Sequence, residues 1–380
     1  MPSLGQRLRN LKCPPSLAAC LPGSSRHFGP PRRHATFDSY LGSNSGKQVG
    51  IRGETQIQTT PVHRLGQLPE TLESELLSDL PDDTVLELEA VRLIGPDGWA
   101  IGKNDTFLPE TSFWTYSATR RQLHQHPIYL RKRAQAIRRL AGRTLSLASE
   151  HCVGSPAHLL CDSLTRLPLA LEAGWKASSF DWVYLPRPRG ANIERLVARI
   201  GVPLERVINW EPQIDIECER VVLTRFPGMP GNPPPRAMRW WQNQWSDERP
   251  QKPNKRLYIS RQNTRRRLAN PAGLENLLAE AGFETCFPDT DQSTAERCME
   301  ARWVVALDGS NLANLVFCAP GTSVLVFCPT GFPNPPYTLS LARTFNLQLV
   351  LMGVKPVAGS PESDVDLDTF KSALERLLST

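Results

Sequence analysis

The chain predicts an α/β protein made of two units, each built around a parallel sheet, and three observations carry this. From Lys255 to Cys328, short β-type runs alternate with helical patterns, the order that places helices on both faces of a parallel sheet. A second alternation runs from Thr144 to Thr224. Between them, residues 226–254 hold Pro227, Pro230, Gly231, Pro233 to Pro235 and three tryptophans, Trp240, Trp241 and Trp245. A break of that composition belongs at a domain boundary. At 380 residues there is chain enough for two cores, because a single core stops growing near ~250–300 residues.

Residues 1–50 are rich in Arg, Pro, Ser and Gly without periodicity, and read as a disordered basic tail. Cys13 to Leu21 is mildly apolar but lacks the pattern of a secretory leader. Residues 51–225 read as the first α/β domain. Val85 to Leu88 and Val91 to Ile94 are strand-like, and Gly95-Pro96-Asp97-Gly98 is a turn. Arg131 to Arg143 reads as a basic helix with a solvated face. Thr144 to Ala148 is then a strand, Ala157 to Glu172 a helix and Trp182 to Leu185 a strand. Asn192 to Ile200 is a helix closed by Gly201, followed by strands at Val207 to Trp210 and Val221 to Thr224.

Residues 226–254 form the linker, whose tryptophans read as packing across it. Residues 255–380 are the second domain. Arg256 to Ser260 is a strand, and Asn270-Pro271 opens a helix with Leu274, Leu277, Leu278 and Ala281 on one face. Phe283 to Phe287 reads as a strand, Thr294 to Ala301 as a helix and Trp303 to Leu307 as a buried strand. Leu312 to Cys318 is an apolar helix, Ser323 to Phe327 a strand and Leu367 to Leu378 the last helix.

Open α/β sheets bind ligands at the carboxyl ends of their strands. One strand here ends in Arg261, with Arg265, Arg266 and Arg267 close behind; another runs through Asp308 into Gly309-Ser310-Asn311 at a helix start. Free N–H groups and the helix dipole favour an anion there, and arginine offers a planar double donor for phosphate. Together they outline a site for a diphosphate. A solvated arginine face and a simple helix cap are the alternative readings. In the first domain His158, Asp162 and Arg166 stand four residues apart and share a helix face. A histidine satisfied by a core hydrogen bond is the alternative there. His124-Gln-His126 and Asp289-Thr-Asp291 resemble metal-ligand spacings, but turn and cap chemistry accounts for them. Seven histidines, none after His158, leave no His-rich metal site to expect.

Taken in order, Tyr258-Ile259-Ser260-Arg261, Asn270, Gly309, Leu312, Asn314 and Phe317 resemble glycosyltransferase family 61. The resemblance covers roughly residues 145–330 and is strongest after 255; His158, Asp162 and Arg166-Leu167 match a further block of it in order. It implies a GT-B-like fold, two facing Rossmann-like α/β domains with a cleft between them. The first would take the acceptor and the second the donor, with Leu367 to Leu378 crossing back to the first. It implies inverting transfer of a hexose or pentose from a nucleotide-diphosphate sugar to a saccharide or glycolipid acceptor, of the bacterial capsular or cell-surface polysaccharide type. Arg261 with Arg265 or Arg266, and Asp308, Gly309, Ser310, Asn311 and Asn314, would then hold the donor. His158 or Asp162 would be the base. The nucleotide sugar is a co-substrate, and neither a metal nor another cofactor is expected. Asp308 stands where many members have His, and Val326 near a place where many have Glu. These departures leave the nucleoside and the sugar open, along with a degenerate, non-catalytic variant.

A formal charge of +6 suits anionic small ligands or an anionic membrane surface. No run reaches the ~18–20 apolar residues of a membrane span. Nine cysteines without a Cys-x-x-Cys pair read as reduced core residues of a cytoplasmic protein, with peripheral contact at the inner membrane surface as an option. The arginine clusters keep a nucleic-acid-binding alternative open, but they are not interleaved with aromatics, and no nucleic-acid partner is expected. No Gly-x-Gly-x-x-Gly follows a strand, which disfavours a nicotinamide or flavin oxidoreductase.

Overall fold

The computed structural model describes residues 30–55, 62–68, 79–116, 123–131, 135–188, 190–229, 231–288, 290–291, 293–330 and 337–379. Of the expected tail over 1–50, residues 1–29 lie outside the described residues, as do the side chain of His124 and Asp289. Residues 30–50 are folded, because Phe37 and Tyr40 are buried in the core and Gly46–Ile51 pairs as a strand. The architecture is α/β, with two sheets. Among the described residues no helix is long and apolar enough to cross a membrane.

In chain order the first strands are β1 (Arg33–His34), β2 (Gly46–Ile51), β3 (Val62–Leu65), β4 (Asp83–Ile94), β5 (Trp99–Gly102), β6 (Thr106–Leu108), β7 (Ala136–Ser146), β8 (Trp182–Tyr184), β9 (Val207–Ile208) and β10 (Ile214–Thr224). All but β3 form one mixed sheet in the order β1-β6-β5-β4-β10-β7-β8-β9, with β2 also on β4. Val85 to Leu88 and Val91 to Ile94, expected as two strands, are one. Ala90 sits between them at φ 55°. The break lets one edge of β4 pair with β2 over residues 83–88 and with β5 over 92–94.

The expected basic helix over Arg131 to Arg143 is instead, from Ala136 on, strand β7. The reason is its neighbour. β10 runs parallel to it with Glu217 opposite Arg139, and Arg138, Arg139 and Arg143 pair with Glu211, Glu217 and Glu87. Cross-strand partners override a local helical preference.

The second sheet comprises β11 (Lys255–Ile259), β12 (Glu284–Cys286), β13 (Ala301–Leu307), β14 (Ser323–Pro329), β15 (Gln348–Pro356) and β16 (Ser363–Asp364), in the order β12-β11-β13-β14-β15-β16. It is parallel apart from β16, and β3 joins it beside β15. Alternate residues face opposite ways, as strand geometry requires. Val305, Leu307, Leu325 and Phe327 pack with helices Pro271–Glu280 and Leu367–Leu378. Val304, Ala306, Val324 and Val326 face the other side, where their core runs on without a break into Leu145, Leu167 and Val183 of the first unit.

The last helix does not cross back to the first unit. Phe370, Ala373 and Leu377 bury against Phe327, Val350 and Met352 of the second sheet. The linker supplies the connection instead, through helix Pro235–Asn243. Trp241 Nε1 donates to the Leu164 carbonyl at 2.8 Å, and Gln242 Nε2 donates to the carbonyls of Val316 and Cys318 at 3.2 and 2.9 Å. Trp241 and Trp245 are buried, so they pack across the junction as their apolar area demands.

Candidate active site

In the second sheet the chain reverses its direction of spread at β11, which lies between β12 and β13. A crevice outside the carboxyl ends of β11 and β13 is the position where such sheets take ligands. Arg261 lies just past the end of β11, and Asp308-Gly309 follows β13.

Arg261 is 7% exposed, and its guanidinium lies flat against Gly309. A Cβ on Gly309 would overlap that guanidinium, and the backbone there has φ 152°, which side-chain-bearing residues rarely adopt. Glycine is therefore needed twice over. Arg261 Nε donates to the Arg266 carbonyl at 3.4 Å, which ties the arginine turn to the strand end. Arg266 in turn places Nη1 3.9 Å from Asp308 Oδ2, and Thr338 Oγ1 donates to Asp308 Oδ1 at 3.4 Å. Burial pushes the Asp308 carboxyl up to about 6, with Arg266 and Arg261 pulling the other way.

The helix expected from Leu312 begins at Ser310 and runs to Phe317 as a 3-10 helix. The N–H groups of a first turn have no partner inside the helix, so this start points donors past Gly309. Asn311 is buried, and its Nδ2 has no hydrogen-bond partner among the described residues. Asn314 donates to the Asn311 carbonyl at 2.9 Å and lines an apolar groove with Leu159 and Leu160. The arginines diverge: Arg265 is exposed, and Arg267 is held by Glu362 at 2.8 Å. Val326 is a core residue 1% exposed, opposite Ala306 and Leu351. Its position inside the strand keeps it out of the crevice.

The first sheet has its own reversal. β7, β8 and β9 spread one way while β10 lies on the other side of β7. Beyond the end of β7 lies the segment expected as one helix over Ala157 to Glu172. It is broken into Pro156–His158, a π-helical turn Leu159–Ser163 and helix Arg166–Glu172. Such wide turns recur at functional sites. His158 Nδ1 lies 2.6 Å from Asp162 Oδ2, with Asp162 1% exposed and His158 20% exposed at the side chain. Burial alone lowers the His158 pKa, but the Asp162 hydrogen bond and charge, with Glu150, outweigh it and leave it raised. Tyr337 donates to both Asp162 oxygens, at 3.0 and 2.9 Å. The third residue of the face, Arg166, is structural: it is buried and donates to the carbonyls of Asp162 and Thr224.

Residues 157–325 match the family model described as glycosyltransferase 61. This region belongs to the glycosyltransferase 61 family. The match supports a glycosyltransferase. No curated protein matches the chain. The glycosyltransferase 61 region takes in His158, Asp162, Arg261 and the Asp308–Asn311 turn, and it ends before Tyr337.

Tyr337 and Thr338 open helix Tyr337–Phe345, and neither is singled out by the sequence. Tyr337 reaches Asp162 and Thr338 reaches Asp308, so two adjacent residues touch both clusters. Helices Pro156–His158 and Ser310–Phe317 also pack against each other. Nothing in local spacing signals a partner of His158 that lies 179 residues away. His126, in the pair set aside as a turn, is a core residue. It caps Ile128, contacts Ser112 at 2.8 Å, and is pushed down to about 4 by burial. Among the described residues no three His, Cys, Asp or Glu side chains are grouped to hold a metal ion.

Proposed function

We propose that this protein transfers a hexose or pentose from a nucleotide-diphosphate donor to a saccharide or glycolipid hydroxyl, with inversion. The observation that carries the reading is the close approach of Arg261 to Gly309 beside a helix start, at the carboxyl ends of β11 and β13. The diphosphate binds Arg261 and the first-turn N–H groups, with Arg266 adding charge. Charge grows on the diphosphate as the glycosidic bond breaks, so these contacts act on rate as well as on binding. Because they supply positive charge themselves, transfer proceeds without a divalent ion.

His158 is the base. The Asp162 carboxylate accepts from Nδ1, which leaves Nε2 to take a proton from the acceptor hydroxyl. The acceptor oxygen bonds to the anomeric carbon as the bond to the diphosphate oxygen breaks, and the proton passes to Nε2. A single displacement inverts the centre. The two units act as a GT-B-like pair, with the donor on the second and the acceptor on the first. The setting we favour is synthesis of surface polysaccharide on the cytoplasmic side of a membrane, which the excess of positive charge suits.

A thermal-shift screen against UDP, GDP, CMP, dTDP and NAD, with and without EDTA, tests the proposal, since a ligand of the native state raises Tm by mass action. A rise with one nucleotide of a sugar donor, unchanged by EDTA and lost in Arg261→Ala, is the expected result. A response to NAD alone, or a rise that survives Arg261→Ala, overturns it.

A further inference from the structure

A second recess lies beyond the carboxyl end of β7, an open pocket of about 590 Å³ whose wall includes Asp97, Ser149, His151 and His158. Its floor is rigid. The turn after β4 is fixed by Tyr184, whose hydroxyl donates to the Gly95 carbonyl at 2.8 Å, and by Asp215, which accepts from Gly95 N at 3.2 Å. Gly98 lies so close to Ala148 that a Cβ would overlap it. This contact presses the turn onto the end of β7 and sets Asp97 against the backbone N–H of His151. His151 itself adopts φ 64°, with its ring centroid 5.2 Å from that of His158.

Two further features point to a ligand. Ser149 is fully buried in the pocket wall, and its hydroxyl has no hydrogen-bond partner among the described residues. A buried hydroxyl left so is costly unless something fills the site. The lining also contains no lysine or arginine, while Glu150 lies close enough to raise Asp97, which burial and Glu150 push up to about 7.

We infer that this pocket binds one ring of the acceptor saccharide, with Asp97 and His151 on its hydroxyls and Ser149 as a third contact. The ring it takes is neutral or amino-bearing, not acidic. A carboxylate can accept from two neighbouring hydroxyls at once. A uronate or phosphorylated ring would instead face Asp97, with Glu150 acting behind it, and no lysine or arginine in the wall. A pocket of this size accommodates a sugar ring with part of its neighbour. His158 Nε2 at the rim would then meet the ring's attacking hydroxyl. The inference rests on the glycosyltransferase reading above.

The test is saturation-transfer NMR of the full chain with methyl β-D-glucopyranoside, methyl β-D-xylopyranoside and methyl β-D-glucuronide. The wild type and Arg261→Ala should both transfer saturation to a neutral glycoside and not to the glucuronide. Asp97→Asn should weaken that binding about tenfold or more, the worth of a lost charged hydrogen bond, and Ser149→Ala severalfold. Each variant should keep the wild-type Tm, which separates lost binding from misfolding. Equal binding of the glucuronide, unchanged binding by both variants, or no glycoside bound by the wild type overturns the inference. Loss of the donor reading shows up separately, as no response to any nucleotide while neutral glycosides still bind.

Discussion

Tyr337 donates its hydroxyl to both oxygens of Asp162 across 175 residues of sequence. It therefore joins a helix of the second unit to the carboxylate that orients His158 in the first. Thr338, the next residue, bonds to Asp308, which lies beside Arg266. A single helix start thus contacts both clusters.

Tyr337→Phe removes both bonds while keeping the ring beside His158. Asp162 stays buried and loses a donor, a loss of about 1–3 kcal/mol. We expect chemical denaturation to show that loss, and turnover to fall about tenfold with donor KM little changed. Normal turnover in a destabilised Tyr337→Phe would show the contact to be structural alone.

The arginines separate by direction. Arg261→Ala should cut turnover about 10²-fold or more, the usual scale for losing a donor aimed at developing charge. Arg265→Ala should change little, since Arg265 is exposed. Arg267→Ala should loosen the Glu362 contact without touching the donor constants. Steady-state kinetics of the three variants decide it, and equal losses in all would mean a diffuse basic surface in place of a built site.

Gly309→Ala tests the close approach. The added methyl must displace the Arg261 guanidinium, which is the mobile end of a long side chain, while the backbone adopts a conformation unfavourable to alanine. Nucleotide affinity should fall at least as far as in Arg261→Ala, and Tm by only a few degrees. Calorimetric titration with the nucleotide that responds in the screen measures it.

What the sequence reveals follows from how locally each feature is determined. Trp303 to Leu307 and Ser323 to Phe327 are continuous apolar runs because both faces of a parallel sheet are covered; the second sheet is legible for that reason. Arg261 and Gly309 are legible too, being tied to strand ends. β7 is not, because its charged residues become strand partners only once Glu217 and Glu87 stand beside them. β3 is equally hidden: residues 62–65 pair with β15, nearly three hundred positions later. Tyr337 joins the site through tertiary packing, and Asp97 through a turn pressed onto Ala148. No periodicity records such contacts.

Asp308 is expected to trade stability for binding. Its folded pKa is raised from 3.8 to about 6, so the folded state holds the proton longer than the unfolded one. The stabilisation this brings is complete below about 4 and is lost as pH climbs through about 6. Asp308→Asn does not titrate. Its stability relative to the wild type should therefore rise between pH 4 and 6 and level off above, by about 1–3 kcal/mol. Urea denaturation at pH 4.5 and 8 measures the difference, and a flat difference would refute the buried ionisation.

The pH dependence of transfer is the sharpest test of His158. As base it must be neutral, so kcat/KM should climb as pH rises through the pKa of His158, with a midpoint above the ordinary 6.5 because Asp162 and Glu150 outweigh burial. Asp162→Asn removes the charge that does most of this, and burial then dominates. The midpoint should move down to 6.5 or below, and the plateau rate should fall because Nδ1 is no longer held by a carboxylate. Stability carries the same sign: the raised pKa of His158 stabilises the fold fully below 6.5, and that contribution fades as pH rises through the folded value. His158→Gln should therefore lose more stability at pH 6 than at pH 9. A rate profile unmoved by Asp162→Asn would take the base role away from His158.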